Sequence, residues 1–371
     1  MDISQLEKWS QKDQVFIDVR SPGEFQQGHI PGALNAPILN DEERALIGLT
    51  YKQKGQAEAV RLGHEIVSGE NKKRKLETWK NILSQHPDAI LMCFRGGQRS
   101  QITQSWLRAE GLDRPLVPGG YKALRQALIV KMETFSQSYP FLLVSGATGA
   151  GKTAFLQEAS HFWPTLHLEK YAEHRGSAFG GYGREQPSQA NFENRLAWDI
   201  LKCESELKIS GLPVLMEDES RLIGRSVLPE LFFSKMRISS ILWLDTPLDE
   251  RVQNTFLEYV EKESVSEELF SRYKKALFNI QRRLGGKEYQ EILSILENCE
   301  SAWKENGELE GNKVWIERLL LRYYDPLYFG SLQKRNPQVA FRGGTQEAFD
   351  FLKGQKRMTS EQAVKKKASP T

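Results

Sequence analysis

The sequence predicts an α/β fold in two domains, the second built on a parallel sheet and continued by a mostly helical C-terminal part. Three observations support this prediction. The 371 residues exceed the size at which one hydrophobic core usually keeps growing. Short apolar runs typical of strands alternate with helical patterns, as they do in parallel sheets. Two of these runs lead through a glycine-rich loop directly into a helical pattern.

The composition is that of a globular protein. With 39% hydrophobic and 27% charged residues, the chain should bury a core. A net charge of +3 neither demands nor excludes a nucleic-acid partner. Three cysteines cannot all pair, a polar run follows Met1, and no apolar stretch approaches the roughly 20 residues of a membrane helix. We therefore expect a cytoplasmic protein that is not integral to a membrane. A monomer is expected, although nothing in the sequence settles the oligomeric state.

The first domain, predicted at residues 1–135, places a cysteine at the end of a strand. An apolar run with β-branched residues at 15–19 is broken by a Ser-Pro-Gly sequence, which predicts a strand followed by a loop. A second apolar run at 89–92 stops at Cys93, and a helical pattern begins soon afterwards. Cys93 therefore lies where a buried strand turns into a helix.

The segment between these two strands, about 41–85, is polar and helix-prone. It carries the basic run KKRK at 72–75. Such a run is typical of a solvated helix face, and it is also a candidate contact for RNA phosphates through Lys73 and Arg74.

The second domain, predicted at residues 136–352, has the alternating pattern of a doubly wound sheet. Apolar runs predict strands at 141–144, 213–216 and 241–244, and residues 248–320 are mostly helical. From 353 to 371 the chain is Lys-rich and lacks apolar periodicity, which predicts a basic, disordered tail.

The chemistry of the first domain is expected in the loop CFRGGQRS at 93–100. A loop at the amino end of a helix points backbone N–H groups inward, and the helix dipole adds positive potential. Arg95 and Arg99 add charge, so we expect the pKa of the Cys93 thiol to be lowered and Cys93 to be a nucleophile. Gly96 and Gly97 are expected to supply positive φ. Cys203 and Cys299 lack such surroundings and are interpreted as small buried apolar residues.

Two upstream segments, DVRSPGEF at 18–25 and GHIPGA at 28–33, together with the cysteine loop, resemble the signature of rhodanese domains. The resemblance implies that Asp18, Arg20 and His29 brace the domain and do not catalyse. The spacing from Cys93 to Arg99 also resembles cysteine-dependent phosphatases of the rhodanese-like fold, so phosphate or arsenate chemistry stays open at this loop.

The second domain opens with a phosphate-binding pattern. The sequence GATGAGKT at 146–153 fits G-x-x-x-x-G-K-T between a predicted strand and a predicted helix. Its backbone amides are expected to wrap a diphosphate that Lys152 also reaches. The phosphate-binding residues are predicted to be Gly146, Thr148, Gly149, Gly151, Lys152 and Thr153.

Magnesium and a nucleotide both remain possible at this loop. Thr153 and Asp218 are candidate Mg²⁺ ligands, the latter lying in the acidic run at 217–219, which is equally typical of a charged surface. The segment LDTPLDER at 244–251 resembles one found in small-molecule and nucleotide kinases. A P-loop kinase or ATPase fused to a rhodanese sulfur carrier is therefore a second hypothesis.

Three further segments carry a more specific resemblance. EHRGSAFG at 173–180, QPSQANFEN at 186–194 and RYYDPLY at 322–328 follow a rhodanese-like domain and a P-loop. In this order they resemble the bacterial tRNA 2-selenouridine synthases, and the resemblance extends over nearly the whole chain.

That resemblance implies a transferase acting on 2-thiouridine at the wobble position of Lys, Glu and Gln tRNAs. Geranyl diphosphate supplies a geranyl group to the sulfur, and selenium from selenophosphate then replaces the S-geranyl group. Carried over by position, Cys93 is the selenium-bearing nucleophile and the P-loop is the seat of the diphosphate. No tightly bound cofactor is expected.

For the tRNA partner, basic and aromatic residues near these segments are the candidates. They are Arg175, Tyr182 and Arg184, besides Lys73, Arg74 and the basic tail, with Tyr171 and Phe179 as stacking surfaces that are equally typical of core. A rhodanese-like cysteine phosphatase and a non-catalytic tRNA-binding protein are two further hypotheses that the sequence leaves open.

Overall fold

The computed structural model describes residues 2–181, 183 and 185–368, the side chains of 357–368 excepted. The chain forms two compact units, one of Met1–Thr134 with Pro187–Lys202 and the other of Phe135–Gln186 with Cys203–Thr371. The break at 134 lies next to the predicted boundary. The segment Pro187–Lys202, which the sequence placed in the second domain, belongs instead to the first unit.

Contacts within the first unit explain that correction. Asn191 Oδ1 accepts a hydrogen bond from His29 N at 2.8 Å, and Asn194 Nδ2 donates to His29 O at 2.7 Å. The Trp198 ring packs edge-on against Phe16, 6.1 Å between centroids. These partners lie more than a hundred residues away along the chain, so no local pattern predicts them.

The first unit is an α/β domain with a small parallel sheet. Its strands are β1 (Phe16–Asp18), β2 (Ala33–Asn35) and β3 (Ile90–Met92), in the order β2-β1-β3. Its helices are α1 (Ile3–Gln11), α2 (Pro22–Gln27), α3 (Asp41–Lys54), α4 (Gln56–Ile66), α5 (Gly69–Gln85), α6 (Gln98–Ala109) and most of α7 (Gly120–Ser138). The fully buried side chains of Ile17, Trp79, Leu91 and Leu107 form the core, because both faces of this sheet are covered.

The second unit contains a five-stranded parallel sheet, which confirms the predicted doubly wound class. The sheet order is β10-β9-β4-β6-β5, and every pairing is parallel. From the start of the sheet to β9, the elements are β4 (Phe141–Ser145), α8 (Lys152–Ala159), β5 (Thr165–Leu166), α9 (Leu168–Ala172), α10 (Gln189–Ser210), β6 (Val214–Glu217), the hairpin β7 (Leu222–Ile223) with β8 (Ser226–Val227), α11 (Glu230–Arg237) and β9 (Ser240–Leu244). Helix α10 belongs to the first unit up to Lys202. The strand that precedes the phosphate loop, β4, is therefore central.

The rest of the second unit is mostly helical, as predicted. It comprises α12 (Leu248–Phe256), α13 (Glu267–Leu284), α14 (Gly286–Asn306), α15 (Asn312–Leu319), α16 (Asp325–Arg335), β10 (Val339–Gly343) and α17 (Thr345–Ala368), with π-helical turns at Leu257–Glu261 and Leu320–Tyr324. Aromatic and aliphatic side chains of these helices form their own core, which includes Phe270, Tyr273 and Trp315.

The prediction of a disordered tail from 353 is wrong over the described residues, which are helical as far as Ala368 in α17. This helix packs Ala348 and Leu352 into the core beside β4 and continues to Ala368. Just beyond 352, Lys356 Nζ donates to Phe162 O at 2.6 Å and Lys353 lies over the Phe162 ring. A helix anchored in this way extends through residues of good helix propensity, even where these residues have no apolar periodicity.

Over the described residues, none of the helices combines the length and the apolar character that a membrane crossing requires.

Candidate active sites

The cysteine loop of the first unit connects β3 to α6, as the sequence predicts. Gly96 adopts φ +64°, whereas Gly97 is extended at φ −95° and caps α6, so only one of the two glycines uses positive φ. Gly120 is a third glycine that the loop needs, since a Cβ there would collide with the Cys93 carbonyl oxygen. Tyr121 N also donates to that oxygen at 2.9 Å. The start of α7 thus holds the loop in place.

Cys93 lies in a narrow polar niche. Its side chain is 3% exposed, with Sγ 3.2 Å from Ser100 Oγ and 3.8 Å from Gly97 O. Ser100 Oγ in turn donates to Gly97 O at 3.0 Å. The sulfur is reached through a cavity of about 980 Å³, of which Cys93 is one wall. The thiol is therefore buried in the fold but opens onto a space that can hold a ligand.

The sequence predicts that Arg95 and Arg99 both add positive charge at Cys93, but the two side chains lie in different surroundings. Arg99 forms a bidentate ion pair with Glu24, with 2.5 and 3.1 Å between the guanidinium nitrogens and the carboxylate oxygens. Burial opposes both charges, yet the pairing lowers the pKa of Glu24 and raises the pKa of Arg99. Arg95 is exposed and lies over the Phe94 ring. Hence the Arg99 charge is shared with a carboxylate, and Arg95 faces solvent.

The bracing roles predicted for the upstream motif are confirmed. Arg20 and Asp18 form a fully buried ion pair, and Arg20 also donates to Gly28 O at 2.8 Å. The His29 ring stacks on Phe25 at 4.1 Å between centroids and is within 3.1 Å of Phe25 O. Desolvation lowers the pKa of His29. These groups fix the turn that carries the motif.

Of the two other free cysteines, one fits the prediction fully. Cys299 is 6% exposed in the helical core, and burial raises its pKa to about 11. Cys203 is only half-buried on α10. Neither lines the cavity beside Cys93.

The phosphate loop of the second unit connects β4 to α8, as predicted. Gly149 and Gly151 adopt φ of +83° and +78°, and a Cβ on Gly149 would lie 2.6 Å from Arg251 O. Lys152 Nζ donates to Gly146 O at 3.0 Å, while Gly146 N donates to Tyr328 Oη at the same distance. The amides at the start of α8 form a cradle of the kind that binds anions.

Two α12 residues support this loop from behind. Arg251 Nε donates to Thr148 O at 2.9 Å, and Asn254 Nδ2 donates to Gly149 O at 3.0 Å. The Arg251 guanidinium is held in turn by Asp325, in a pair that is 8% and 14% exposed. The kinase-like segment at 244–251 therefore braces the loop.

The two candidate magnesium ligands are engaged with protein groups. Asp218 forms a bidentate pair with Arg335 at 2.5 and 2.6 Å and accepts from Ser145 Oγ at 2.6 Å. Thr153 Oγ1 donates to Glu169 at 2.8 Å. In the part of the chain that the structure describes, no group of three or more His, Cys, Asp and Glu side chains is arranged to hold a metal ion. Both residues therefore have protein partners, and their binding of Mg²⁺ stays a prediction.

Three carboxyl groups lie near Lys152, of which that of Glu217 is fully buried and those of Glu169 and Glu219 are partly buried. Burial and mutual repulsion raise the pKa of Glu217 to about 8 and raise that of Glu219 well above its ordinary value. Burial also raises the pKa of Glu169. Glu217 Oε2 accepts from Leu168 N at 2.7 Å, whereas Oε1 has no hydrogen-bond partner. The acidic run at 217–219 is thus not an exposed charged surface.

Glu169 and Glu219 line a cavity of about 1310 Å³ next to the phosphate loop. Residues 148–153 form one wall, and the aromatic side chains of Tyr259, Tyr324 and Tyr328 line another part. Beside the phosphate loop, the cavity offers backbone amides and the Lys152 ammonium group to an anion, with apolar rings nearby. It can accommodate a phosphorylated ligand that also has an apolar portion.

Several tRNA candidates occupy unexpected places. Arg175 is 10% exposed, forms ion pairs with Glu258 and Glu263, and lies over the Tyr259 ring. Phe179 and Tyr171 are buried core residues. The prediction that Arg175 presents its charge to phosphates is therefore corrected. Of the two interpretations given for Phe179 and Tyr171, the structure supports the core one. Tyr182 and Arg184 lie outside the described residues.

The four basic residues at 72–75 on α5 differ in their exposure and contacts. Lys72 lies over the Trp106 ring, and Lys75 Nζ donates to Pro37 O at 3.3 Å. Lys73 and Arg74 are exposed, although Lys73 also pairs with Glu70. The two residues named as RNA candidates are thus the two that face solvent.

Four residues of these sites were missed from the sequence: Glu24, Arg251, Tyr328 and Arg335. Glu24, Arg251 and Tyr328 fall inside motifs already noted, but the partners that give them a role are distant. Arg99 is 75 residues from Glu24, Asp325 is 74 from Arg251, and Gly146 is 182 from Tyr328. Only the folded chain brings such partners together.

Comparison with known proteins agrees with both units. A model of the rhodanese-like domain matches residues 2–127. A second model, described as the tRNA 2-selenouridine synthase AAA domain, matches residues 139–359. The chain is therefore a rhodanese-like domain followed by an AAA-type P-loop domain.

Relatives extend the match over the whole chain. The tRNA 2-selenouridine synthases of Nitrosomonas eutropha and Nitrosomonas europaea are 44% and 46% identical to it, over 96% and 93% of this chain and 98% and 96% of theirs. That of Bdellovibrio bacteriovorus is 46% identical over 94% of this chain and 97% of its own length. The chain belongs to the tRNA 2-selenouridine synthase family.

Proposed function

We propose that this protein converts 2-thiouridine to 2-selenouridine at the wobble position of Lys, Glu and Gln tRNAs, in two transferase steps. The observation that carries the proposal is the presence of a cysteine loop and a phosphate loop in one chain that resembles named synthases over almost its full length. Each loop has a cavity of ligand size beside it.

In the first step the 2-sulfur attacks C1 of geranyl diphosphate. The S–C1 bond forms, the C1–O bond breaks, diphosphate leaves, and N3 of the uracil gives up its proton. The phosphate loop supports this step because its amides and Lys152 stabilise the negative charge that develops on the leaving diphosphate. Its neighbouring tyrosine rings suit the apolar part of the donor.

In the second step selenium from selenophosphate attacks C2 of the geranylated base. The C2–Se bond forms, the C2–S bond breaks, and geranyl thiol leaves; water cleaves the Se–P bond to give phosphate, and N3 regains a proton. Geranylation makes this exchange feasible, since a thioether sulfur departs more readily than the sulfur of a thiocarbonyl group. Cys93 serves this step by displacement at C2: its thiolate expels geranyl thiol, and the selenium then expels the thiolate. The net changes in bonds and protons stay the same, and the niche is shielded from bulk water.

The direct test is incubation of the full chain with 2-thiouridine tRNA and both donors, followed by mass analysis of the nucleosides. We expect 2-selenouridine with both donors, and S-geranyl-2-thiouridine when selenophosphate is omitted. Formation of neither nucleoside would contradict the proposal. Because no nucleoside triphosphate is consumed in these equations, added ATP should leave the yield unchanged.

A P-loop kinase or ATPase is the second candidate, favoured by the G-x-x-x-x-G-K-T sequence in its required context. It predicts that ATP, and not geranyl diphosphate, protects the Lys152 loop from modification and drives turnover. Protection experiments with each ligand therefore separate the two functions.

A further inference from the structure

The cavity beside Cys93 is mainly apolar. It lies within the first unit, between the cysteine loop, α3, α4 and α6. Ile47 and Leu49 of α3, Val60 of α4, and Ile102 and Trp106 of α6 contribute to its walls. Its volume of about 980 Å³ is at the upper end of the range for small-molecule sites, about 300–1,000 Å³.

The opening of this cavity has apolar and cationic groups side by side. Leu49 and Tyr51 are 52% and 56% exposed, which leaves apolar surface at the entrance. Lys52 and Arg95 are exposed and also line the cavity, and Arg44 lies 3.7 Å from the Glu24 carboxylate. An apolar interior with cations at its mouth is complementary to a hydrocarbon chain attached to an anion.

We propose that this cavity binds the branched hydrocarbon chain of an S-prenylated uridine, while the RNA phosphates face Lys52 and Arg95. The inference rests on the proposed function, in which such a base is the substrate of the cysteine site. An inorganic oxyanion alone would leave the aliphatic walls exposed to water, so the walls favour the chain over a bare phosphate.

Binding of the chain has a chemical consequence. In the second step the C2–S bond breaks and the chain departs with the sulfur as geranyl thiol. A cavity that holds the chain therefore places C2 of the base next to Cys93 and retains the leaving group away from water. The same chain occurs in free geranyl diphosphate, so the test must distinguish the thioether from the donor.

Gly48 offers a substitution that fills the cavity without disturbing the fold. It lies within α3 and lines the cavity, and a Cβ added there meets no atom within 4 Å. A non-glycine residue is also favourable inside a helix. We expect Gly48→Phe to retain geranylation of 2-thiouridine tRNA but to lower kcat/KM for selenation roughly tenfold or more, so that geranylated tRNA accumulates.

Leu46→Phe is the matched control, because Leu46 lies on the same helix, is 49% exposed and is not part of the cavity wall. This control should behave as wild type. Wild-type selenation by Gly48→Phe would overturn the inference. Loss of geranylation itself in Gly48→Phe, but not in Leu46→Phe, would also overturn it, since the cavity would then hold the donor's chain.

A binding measurement separates this inference from the proposed function. Anticodon stem-loop RNAs carrying S-geranyl- or S-methyl-2-thiouridine are titrated into the full chain, without donors. Each buried methylene is expected to tighten binding about fourfold, so the geranyl RNA should bind far more tightly to wild type, and Gly48→Phe should remove that preference. Equal affinities for the two RNAs in wild type, or a geranyl preference that Gly48→Phe keeps, would refute the cavity assignment. A preference that wild type shows and Gly48→Phe removes, in a protein that does not geranylate tRNA, would refute only the function.

Discussion

The stability contributed by the buried pair of Asp218 and Arg335 tests whether Asp218, in the acidic run beside the phosphate loop, has a structural role or is a metal ligand. The side chains are 6% and 7% exposed and share two short N–O contacts. Asp218→Asn keeps the side-chain shape and the hydrogen bond from Ser145, but it leaves the Arg335 guanidinium as a buried charge without its counterion. Removing one member of a buried ion pair typically costs about 3–5 kcal/mol.

That cost should be visible in thermal unfolding of the full chain. In a domain of this size each kcal/mol shifts Tm by roughly 2–4 °C, so a loss near the lower bound predicts a fall of about 6–12 °C in the transition of the second unit. Differential scanning calorimetry measures that shift. The expected loss of stability does not depend on added Mg²⁺.

The double variant Asp218→Asn with Arg335→Gln provides the control. It removes both charges and keeps hydrogen-bonding groups, so we expect it to recover at least half of the lost Tm, because no unpaired charge remains. An unchanged Tm in Asp218→Asn, together with loss of a Mg²⁺-dependent activity, would refute this reasoning and restore Asp218 as a metal ligand.

Three further outcomes are expected. The pKa of Glu217 is raised to about 8 in the folded state, so the folded protein binds more protons than the unfolded one above pH 4.5. Stability therefore falls as pH rises from about 4.5 to 8. Glu217→Gln should flatten this pH dependence of stability in denaturant titrations, and an unchanged slope would contradict the assignment. Charge reversal at Lys73 and Arg74 together should weaken tRNA binding and reduce its salt dependence, measured by filter binding at several salt concentrations; equal slopes would exclude that face. Lys152→Ala should abolish geranylation yet still selenate tRNA that was geranylated beforehand, and continued geranylation at the wild-type rate would exclude the phosphate loop as the donor site.

The loops that carry the candidate chemistry could be predicted because each is contiguous in sequence. Cys93 and Lys152 both stand at a strand-to-helix junction, where a short apolar run, glycines and a helical pattern follow one another. The internal pairing of Asp18 with Arg20 is equally local. Such signals are complete within a few residues.

Features made by distant partners could not be predicted in this way. Arg175 in the sequence is an ordinary cation in a polar segment, and only folding places it between Glu258 and Glu263. The neutralisation of Arg99 by Glu24 likewise joins two motifs that are 75 residues apart. A list of charged residues therefore overstates the positive charge at both sites.

The apolar cavity beside Cys93 escaped prediction for another reason. Helix α3 buries none of its residues, so its apolar side chains show no periodic core face, although Ile47 and Leu49 form a wall. Residues that line an open cavity are only partly covered, and their pattern resembles that of a solvated helix.

In the proposed function the two units divide the reaction, with prenyl transfer at the phosphate loop and selenium exchange at Cys93. Nucleoside mass analysis tests this division after Cys93→Ala is incubated with 2-thiouridine tRNA, geranyl diphosphate and selenophosphate. We predict that S-geranyl-2-thiouridine accumulates and that no 2-selenouridine forms. Undiminished 2-selenouridine, or the absence of the geranylated nucleoside in a variant that folds as wild type does, would contradict the division.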